Sequence, residues 1–360
     1  MRTPHTNLLV SLVSGSDVAA LSLVAAIMSG PGPVGPSAEE LTSPSDDSNG
    51  FAVELASALE ALAESGQRGH TVVQLGPLAD TMEIGLIVGS TFERRTEKQP
   101  ELRLRDLVTV ADVREIRTRL FGDDATNRGR GEAAGHAKYC ANYESGEILA
   151  RRLEFATVIV FTHREVVSNG TLREVVAMLW KLNPLALVIP LERAAEIVSK
   201  PRKRIDPRRL GTSMGWLLEL SGTAGLPTTR ASVNSVVFRD PRPFHPGRLS
   251  EAIARCLESH EVGRIVRSRG LFRLASRPGR VGSWSSAGHI LTIEPTSMVS
   301  WDPESPAGQE LVFLGKDLHA GRLAAVLGAC LLSDEELIAG PMEWAKYVDP
   351  FPEWIVDHEH

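Results

Sequence analysis

The stretch Leu8-Leu-Val-Ser-Leu-Val-Ser-Gly-Ser-Asp-Val-Ala-Ala-Leu-Ser22 decides how the first half of the chain folds. Residues 8–13 are apolar except for Ser11, as in a strand that is buried on both faces. Small polar residues follow, and the apolar residues after Asp17 fit a helix. Asp17 also argues against a secretory signal, because a charge inside the apolar run of such a signal is costly. We therefore expect a buried strand that turns directly into a helix.

The same pattern continues along the first half. Short β-branched runs alternate with longer helical stretches, which is typical of a parallel sheet with crossover helices. The predicted strands after the first are Thr71–Leu75, Leu107–Val110, Thr157–Phe161 and Ala186–Ile189. The clearest helical periodicities lie in Phe51–Glu64 and Leu172–Leu182. This half is predicted to be an α/β domain.

The second half has a different pattern. Its predicted strands are Ser232–Arg239, Gly263–Ala275, Ile290–Thr292 and Glu310–Leu314, and its predicted helices are Pro246–Glu258 and Leu318–Leu332. Strands and helices are not in strict alternation, which indicates an α+β module. A basic stretch rich in Gly, Ser, Thr and Pro lies between the halves. We therefore expect domains at 1–199 and 231–360, joined by a basic linker at 200–230.

Composition is that of an ordinary soluble globular protein: 360 residues, 42% hydrophobic and 23% charged. The three cysteines, Cys140, Cys256 and Cys330, lie far apart in the sequence. Their spacing shows neither a disulfide framework nor a cysteine zinc site. We expect a reducing, cytoplasmic setting without a membrane partner.

Basic charge is concentrated in the middle of the chain. Residues 200–280 contain 17 Lys and Arg against 6 Asp and Glu, whereas residues 281–360 contain 3 against 13. Strand alternation predicts a solvent-facing arginine stripe. Its members are Arg267, Arg269 and Arg273, with Arg264 at one end, and the linker residues Arg202, Arg204 and Arg208 could extend it. Such a stripe could hold ribosomal RNA through phosphates, pair with the acidic carboxyl-terminal segment, or be an ordinary hydrated sheet face.

Four segments of the second half carry a family resemblance. They are Arg242-Pro-Phe-His-Pro-Gly-Arg-Leu249, Gly263-Arg-Ile-Val-Arg-Ser-Arg-Gly-Leu-Phe272, Gln309-Glu-Leu-Val-Phe-Leu-Gly315 and Cys330-Leu-Leu-Ser-Asp-Glu-Glu336. In order and approximate spacing they resemble the carboxyl-terminal domain of the CobW family of metal-associated GTPases. The segment from Glu343-Trp344 to Asp349-Pro-Phe-Pro-Glu-Trp354 resembles the actinobacterial branch called ribosome hibernation factor-recruiting GTPases. The resemblance implies a degenerate P-loop GTPase-like parallel-sheet domain followed by a smaller α+β CobW carboxyl-terminal domain.

The phosphate-binding motif of that family is incomplete. The motif G-x-x-x-x-G-K-[ST] needs glycines for the phosphate cradle, a lysine for charge and a hydroxyl for magnesium. Gly15 and Ser22 stand at its first and last positions, but Ala20 and Leu21 replace the second glycine and the lysine. Asp17 adds a negative charge where a phosphate would lie.

The other nucleotide motifs are degenerate as well. In the acidic switch segment, Gln74 and Pro77 replace glutamate and glycine, while Asp80 is retained. Asp112 is also retained, and the guanine-reading motif is Thr162-His-Arg-Glu165. The candidate nucleotide-binding residues are thus Gly15, Ser22, Asp80, Asp112 and Glu165, and no catalytic residue is assigned. Either the fold has lost its ligand, or it binds GTP weakly without the lysine, with GTP and magnesium as its cofactors.

Metal ligands are equally sparse. The resemblance implies a C-x-C-C motif after the first helix, but no cysteine occurs between Gly30 and His70. His358 and His360 in the closing Asp-His-Glu-His could chelate a divalent ion such as zinc, or belong to a solvated tail. His245 fits a packed or capping histidine better than a ligand.

The resemblance implies a scaffold that recruits a hibernation factor to ribosomes under zinc limitation, with weak or lost GTPase activity. The alternative is a GTP-dependent zinc metallochaperone or metal-enzyme activator. A third reading is a paralogue that regulates an intact CobW-type GTPase by pairing with it. Magnesium-dependent GTP turnover and zinc binding discriminate the second reading from the first.

Overall fold

The computed structural model describes residues 8–30, 48–77, 79–94, 101–122, 136–199, 214–223, 232–257, 261–288 and 290–354. They belong to two compact units, Met1–Arg117 with Glu147–Gly215, and Thr118–Gly146 with Trp216–His360. Most of the predicted linker, residues 200–213 and 224–230, lies outside the described residues. The predicted domain bounds therefore remain a prediction.

Within the described residues, the first unit contains a five-stranded parallel sheet. Its strands are β1 Leu8–Gly15, β2 Gly69–Gln74, β3 Leu102–Asp112, β4 Val158–Thr162 and β5 Leu187–Pro190, in the order β2-β1-β3-β4-β5. Each neighbouring pair is parallel. Every residue of β4 is buried, and β1 is buried except for Leu9. Apolar runs of this kind need cover on both faces, which crossover helices provide. The expected α/β architecture is confirmed.

Helices alternate with these strands. In chain order the α-helices up to residue 220 are α1 Val18–Ser29, α2 Ser48–Glu64, α3 Thr81–Glu93, α4 Val113–Arg119, α5 His136–Phe155, α6 Asn169–Leu182, α7 Glu196–Ser199 and α8 Gly215–Leu220. Of these, residues 118–119 of α4, 136–146 of α5 and 216–220 of α8 belong to the second unit. Helix α6 begins where the Ser168 hydroxyl accepts from the Thr171 N–H, and its apolar residues are buried at helical spacing. Helix α3 was not predicted, although Asp80 gives it a strong amino-terminal cap.

The second unit is built on an antiparallel sheet. Its strands are β6 Val233–Asp240, β7 Arg264–Phe272, β8 Arg280–Ala287, β9 Ile290–Val299 and β10 Gln309–Lys316, in the order β6-β10-β7-β8-β9. Its helices are α9 Pro246–Ala252, which runs into a π-helical turn at Ile253–Leu257, and then α10 Ala320–Cys330, α11 Asp334–Ala339 and α12 Pro341–Trp344. This arrangement confirms the α+β prediction.

The core of the second unit lies between one sheet face and the helices. Phe244, Phe272, Trp284 and Phe313 are almost completely buried there. The indole Nε1 of Trp284 donates to the Ser268 hydroxyl at 2.8 Å, so the polar edge of the ring is satisfied inside the core. No described helix is both long enough and apolar enough to cross a membrane.

Candidate functional site

The carboxyl ends of the parallel strands form the natural place for a site in the first unit. The chain leaves β1 towards β2 on one side of the sheet, while β3, β4 and β5 lie on the other side. Ligands of open α/β sheets bind at such a switch of strand order. The loops after β1, β4 and β5 accordingly supply the groups described below.

The amino terminus of α1 is already capped by the protein itself. Asp17 Oδ1 accepts a hydrogen bond from the Ala20 N–H at 3.0 Å. Its Oδ2 lies 3.3 Å from Nε2 of His163. A helix amino terminus attracts anions because its N–H groups are unpaired and its dipole is positive at that end. The Asp17 carboxylate therefore occupies the place at the amino terminus of α1 where a phosphate would bind.

Leu21, at the motif position of the lysine, is a core residue. Its side chain is 5% exposed and packs with Val24, Ala25 and Val13 in the apolar cluster beside the sheet. The position lies one turn inside α1 and takes part in core packing. A positive charge is thus missing at the site, and the side chain that replaces it stabilises the fold.

Gly15 has a structural reason to be glycine. A Cβ atom on it would lie 2.5 Å from the carbonyl oxygen of Val110 on β3. The close approach of β1 and β3 requires the missing side chain. The retention of Gly15 therefore gives no information about phosphate binding.

The other candidate nucleotide residues make local contacts. Asp80 Oδ1 caps α3 by accepting from the N–H groups of Met82 and Glu83 at 3.0 and 3.2 Å, and its Oδ2 pairs with Arg151 at 2.8 Å. Asp112 accepts from the backbone N–H of Arg114 at 2.8 Å and from its guanidinium.

The hydroxyl of Ser22 donates to Gln74 Oε1 at 3.4 Å. Neither Ser22 nor Gln74 carries the negative charge with which a carboxylate would hold a magnesium ion. The binding roles of Ser22, Asp80 and Asp112 remain predictions, and the residues present do not fit a magnesium triphosphate.

Arg152, which the sequence did not indicate, holds the segment after β2. Its side chain is buried, and Nη2 donates to the carbonyl oxygens of Gly76, Pro77 and Ala79 at 3.2, 2.6 and 3.3 Å. Three carbonyl groups in one short segment thus depend on one guanidinium. This is the segment that resembles the acidic switch of GTPases, and here it is fixed from within the domain.

A cavity of about 450 Å³ opens beside the ends of β4 and β5. Its lining residues are Asp17, Ala19, Ala20, Leu23, Phe161, Thr162, His163, Arg164, Glu165, Leu191 and Glu192. Of the predicted nucleotide residues, only Glu165 lines it. The sequence analysis did not include the loop after β5, although this loop follows a predicted strand of the parallel sheet.

His163 organises the polar side of this cavity. Its backbone has φ 55°, a left-handed conformation that is uncommon for a residue other than glycine. The ring lies between two carboxylates, with Nε2 3.3 Å from Asp17 Oδ2 and Nδ1 3.4 Å from Glu165 Oε1. Such a strained residue is typical of a binding site.

Arg164 and Glu192 form an ion pair at the cavity rim. Arg164 Nε donates to Glu192 Oε1 at 3.0 Å. The backbone N–H of Glu192 and the side chain of Arg164 hold the pKa of that carboxyl below its usual value. Glu192 therefore stays ionised at neutral pH.

The expected solvent-facing arginine stripe on β7 is wrong. Arg267 is completely buried, and its Nη1 donates to the carbonyl oxygen of Ser286 at 3.1 Å. Burial lowers the pKa of Arg273, whose Nη2 donates to the Ser300 carbonyl at 2.8 Å. Arg264 Nη1 donates to the Phe121 carbonyl at 2.9 Å.

The physical reason is that both faces of the strand are buried at this point. Strand alternation correctly places Arg267 and Arg269 on one face, but their β10 partners Leu314 and Val312 are also 0% exposed. Arg269 is partly buried. The linker residues Arg202, Arg204 and Arg208 lie outside the described residues.

Metal-binding geometry is not found in the described part of the chain, where no group of three or more His, Cys, Asp and Glu could hold an ion. His358 and His360 lie outside the described residues. His245 is confirmed as a capping residue: its Nδ1 accepts from the Arg248 N–H at 3.4 Å, and its ring lies 4.5 Å from that of Tyr347.

Residues 233–331 match the model of the cobalamin synthesis protein cobW carboxyl-terminal domain. This part of the chain is a CobW carboxyl-terminal domain. The match begins at the first residue of β6 and ends just after α10, so it covers the antiparallel sheet together with α9 and α10.

Relatives extend the similarity beyond this domain. The chain is 28% identical over 232 residues to the zinc-regulated GTPase metalloprotein activator 1 of Dictyostelium discoideum, which covers 57% of this chain and 48% of that protein. It is 30% identical over 287 residues to the zinc chaperone Rv0106 of Mycobacterium tuberculosis, which covers 72% of this chain and 64% of that protein. The chain therefore spans about half to two thirds of the length of these two relatives.

One solved structure also aligns with most of this chain. The Zn(II)-bound YjiA GTPase from E. coli aligns with 91% of this chain and 99% of its own, at 15% identity and a TM-score of 0.35.

Proposed function

We propose that this chain is a CobW-type protein of zinc homeostasis that acts as a binding scaffold and does not turn over GTP. The lack of GTP turnover is supported by the Asp17 carboxylate, which lies at the amino terminus of α1, 3.0 Å from the Ala20 N–H. A triphosphate at this place would meet a carboxylate instead of a cradle of N–H groups. Its γ-phosphate would also lack a lysine, because Leu21 is packed in the core.

The zinc part rests on the relatives. Both the Dictyostelium and the Mycobacterium proteins are named for zinc, one as a zinc-regulated activator and the other as a zinc chaperone. The present sequence has three dispersed cysteines and no C-x-C-C motif. A role in binding protein partners therefore fits this chain better than carrying zinc itself.

Phosphate release from GTP tests the proposal. With purified chain, GTP and Mg²⁺, we expect no release above that of buffer. Asp17→Asn keeps a capping side chain and removes the charge, and we expect it to stay inactive because Leu21 and Gln74 still lack the required groups. Saturable, Mg²⁺-dependent release by the unmodified chain would overturn the proposal.

The second candidate is a GTP-dependent zinc metallochaperone or metal-enzyme activator. What favours it is the naming of the two relatives, one of which is called a GTPase metalloprotein activator. Equilibrium dialysis with Zn²⁺ separates it from the scaffold proposal. Stoichiometric zinc binding that is coupled to GTP turnover supports the second candidate, and the absence of both supports the scaffold.

The finer proposal is that the scaffold recruits a hibernation factor to ribosomes. Its support is the resemblance of the segment Glu343–Trp354 to the branch with that role. Arg267 cannot provide the RNA contact, because it is completely buried. Sedimentation of lysate from zinc-starved cells tests the proposal: comigration with ribosomal particles supports it, and migration at the top of the gradient contradicts it.

Pairing with an intact CobW-type GTPase is the remaining partner proposal. A pull-down that enriches such a GTPase without ribosomal proteins supports pairing over ribosome recruitment. Enrichment of ribosomal proteins without the GTPase supports ribosome recruitment over pairing.

A further inference from the structure

Residues 334–354 of the second unit follow the matched family domain, which ends at residue 331, and they carry exposed apolar side chains. Ile338 in α11, Met342 in α12 and Val348 after α12 are 86%, 85% and 86% exposed. These are the largest exposed fractions among the large hydrophobic residues of the described chain. Apolar side chains that are exposed singly are normal, but three in one short segment point to an interaction surface.

Other side chains anchor this segment to the rest of the second unit. Glu336 pairs with Arg248 at 2.6 Å, and Asp349 pairs with Arg277 at 2.8 Å. The indole Nε1 of Trp344 donates to the Glu336 carbonyl oxygen at 2.5 Å, so α12 is tied back to α11. A partner that covers the exposed apolar side chains therefore meets a preorganised surface.

Acidic residues share the outward side of the segment with the apolar ones. On α11, Asp334 and Glu335 are exposed, and their spacing to Ile338 places all three on one side of the helix. On α12, the exposed Glu343 directly follows Met342. Residues 334–354 contain six Asp and Glu against one Lys and no Arg. The surface is therefore both apolar and acidic.

Basic side chains near this surface have partners of their own. Lys346 pairs with Glu343 at 2.6 Å. Arg242, whose charge also acts on Asp334, pairs with Asp240 at 3.0 Å. Glu335 makes no hydrogen bond or ion pair with another described residue. A negative charge thus remains beside Ile338.

Charge decides between the possible occupants of this surface. Like charges repel, so RNA phosphates, an anionic membrane and the same surface of a second copy are all disfavoured. A protein segment that combines Lys or Arg with apolar side chains is complementary to both properties of the surface.

On the basis that the chain acts as a binding scaffold, we propose that this surface binds a basic, amphipathic segment of a partner protein. Ile338, Met342 and Val348 make the apolar contact, and Glu335 contributes the charge. The partner is thereby assigned to the segment after α10, and its contact is with protein rather than with RNA.

Three fluorescein-labelled peptides of equal length test the two requirements. The lysine peptide has leucines on one helical face and lysines on the other, the second peptide has glutamates in place of the lysines, and the third has the composition of the lysine peptide without an apolar face. By fluorescence anisotropy with the full chain, we expect the lysine peptide to bind at least about tenfold more tightly than either of the others, and less tightly as salt is raised. No binding of the lysine peptide, or equal binding of the first and third peptides, would overturn the inference.

Apolar variants locate the binding. Ile338→Ser and Met342→Ser are each expected to weaken the lysine peptide about tenfold, because the peptide then covers less apolar surface. Leu185→Ser is the matched control: Leu185 is 70% exposed in the first unit, and its variant should bind as the unmodified chain does. All three positions are exposed, so the variants should fold. Unchanged binding in both Ile338→Ser and Met342→Ser, or an equal loss in Leu185→Ser, would contradict the assignment.

A charge variant separates this surface from the net charge of the chain. Glu335→Lys is expected to weaken the lysine peptide about tenfold, whereas Glu54→Lys, at an exposed position of α2, should leave it unchanged. Equal weakening in both variants would mean attraction by net charge alone and would contradict the site. GTP turnover by the unmodified chain contradicts the proposed function, whereas failure of the lysine peptide without GTP turnover contradicts only this inference.

Discussion

Restoring the lysine of the phosphate-binding motif should destabilise the first unit rather than create a GTPase. Leu21 is 5% exposed and packs against Val24 and Ala25, so its burial contributes about 2 kcal/mol to folding. A lysine there loses this contribution and must either bury its ammonium or lower its pKa, at about 1.4 kcal/mol per unit. We therefore expect Leu21→Lys to lower the free energy of unfolding by about 3–5 kcal/mol.

Urea denaturation followed by circular dichroism measures the change. Leu21→Met is the matched control, because it conserves volume and should cost less than about 1.5 kcal/mol. A fluorescent GTP analogue added to the same samples reports binding. If Leu21→Lys were as stable as the unmodified chain and gained GTP affinity, position 21 would face the site and not the core, contrary to this prediction.

Three further predictions concern groups whose environment the structure defines. Burial, followed by the nearby guanidinium of Arg105, lowers the pKa of His70 to about 4, so the folded state prefers the neutral ring. The contribution of the neutral ring to the free energy of unfolding is present above pH 6.5 and is lost as the pH falls towards 4. In His70→Asn, the free energy of unfolding should therefore change less between pH 6.5 and 4. An unchanged pH dependence in this variant would contradict the prediction. Hydrogen bonds from the Arg248 side chain are the main reason why the pKa of the Glu336 carboxyl is lowered to about 2. The contribution of the ionised carboxyl to the free energy of unfolding is therefore present above pH 4.5 and is lost as the pH falls towards 2. At pH 7, Glu336→Gln should cost about 1 kcal/mol by thermal unfolding, since the pair is partly exposed, whereas an equal loss in the neighbouring Glu335→Gln would argue against a specific pair. Arg152→Met should speed hydrogen exchange at the Ala79 N–H, which bonds to the Gly76 carbonyl at 3.2 Å, at least tenfold, because the carbonyl groups of Gly76, Pro77 and Ala79 lose their shared donor. Equal protection of Ala79 in both proteins would contradict this role of Arg152.

Much of the fold could be predicted because buried parallel strands leave a strong signal. Leu8–Val13 is apolar except for Ser11, Thr157–Phe161 is apolar after its first residue, and both segments form interior strands of the sheet. Strand β8 was missed because its residues include Gly282, Ser283, Ser285 and Ser286, a composition typical of a loop. Its strand character comes from pairing with β7 and β9, which local sequence does not show.

The candidate site was harder to predict, because retained motif residues have other reasons to be present. Gly15 allows a close contact of two strands, and Asp80 caps a helix. The arginine stripe failed for a related reason. Alternation gives the face on which Arg267 lies, but it does not tell whether a second packed layer covers that face.

Equilibrium binding of GTP to the purified chain in the presence of Mg²⁺, measured by isothermal titration, tests whether this domain still holds a nucleotide. Because Asp17 already caps α1 and Leu21 is packed in the core, we expect no measurable binding at millimolar GTP. Saturable binding of one GTP per chain in the micromolar range would contradict this expectation.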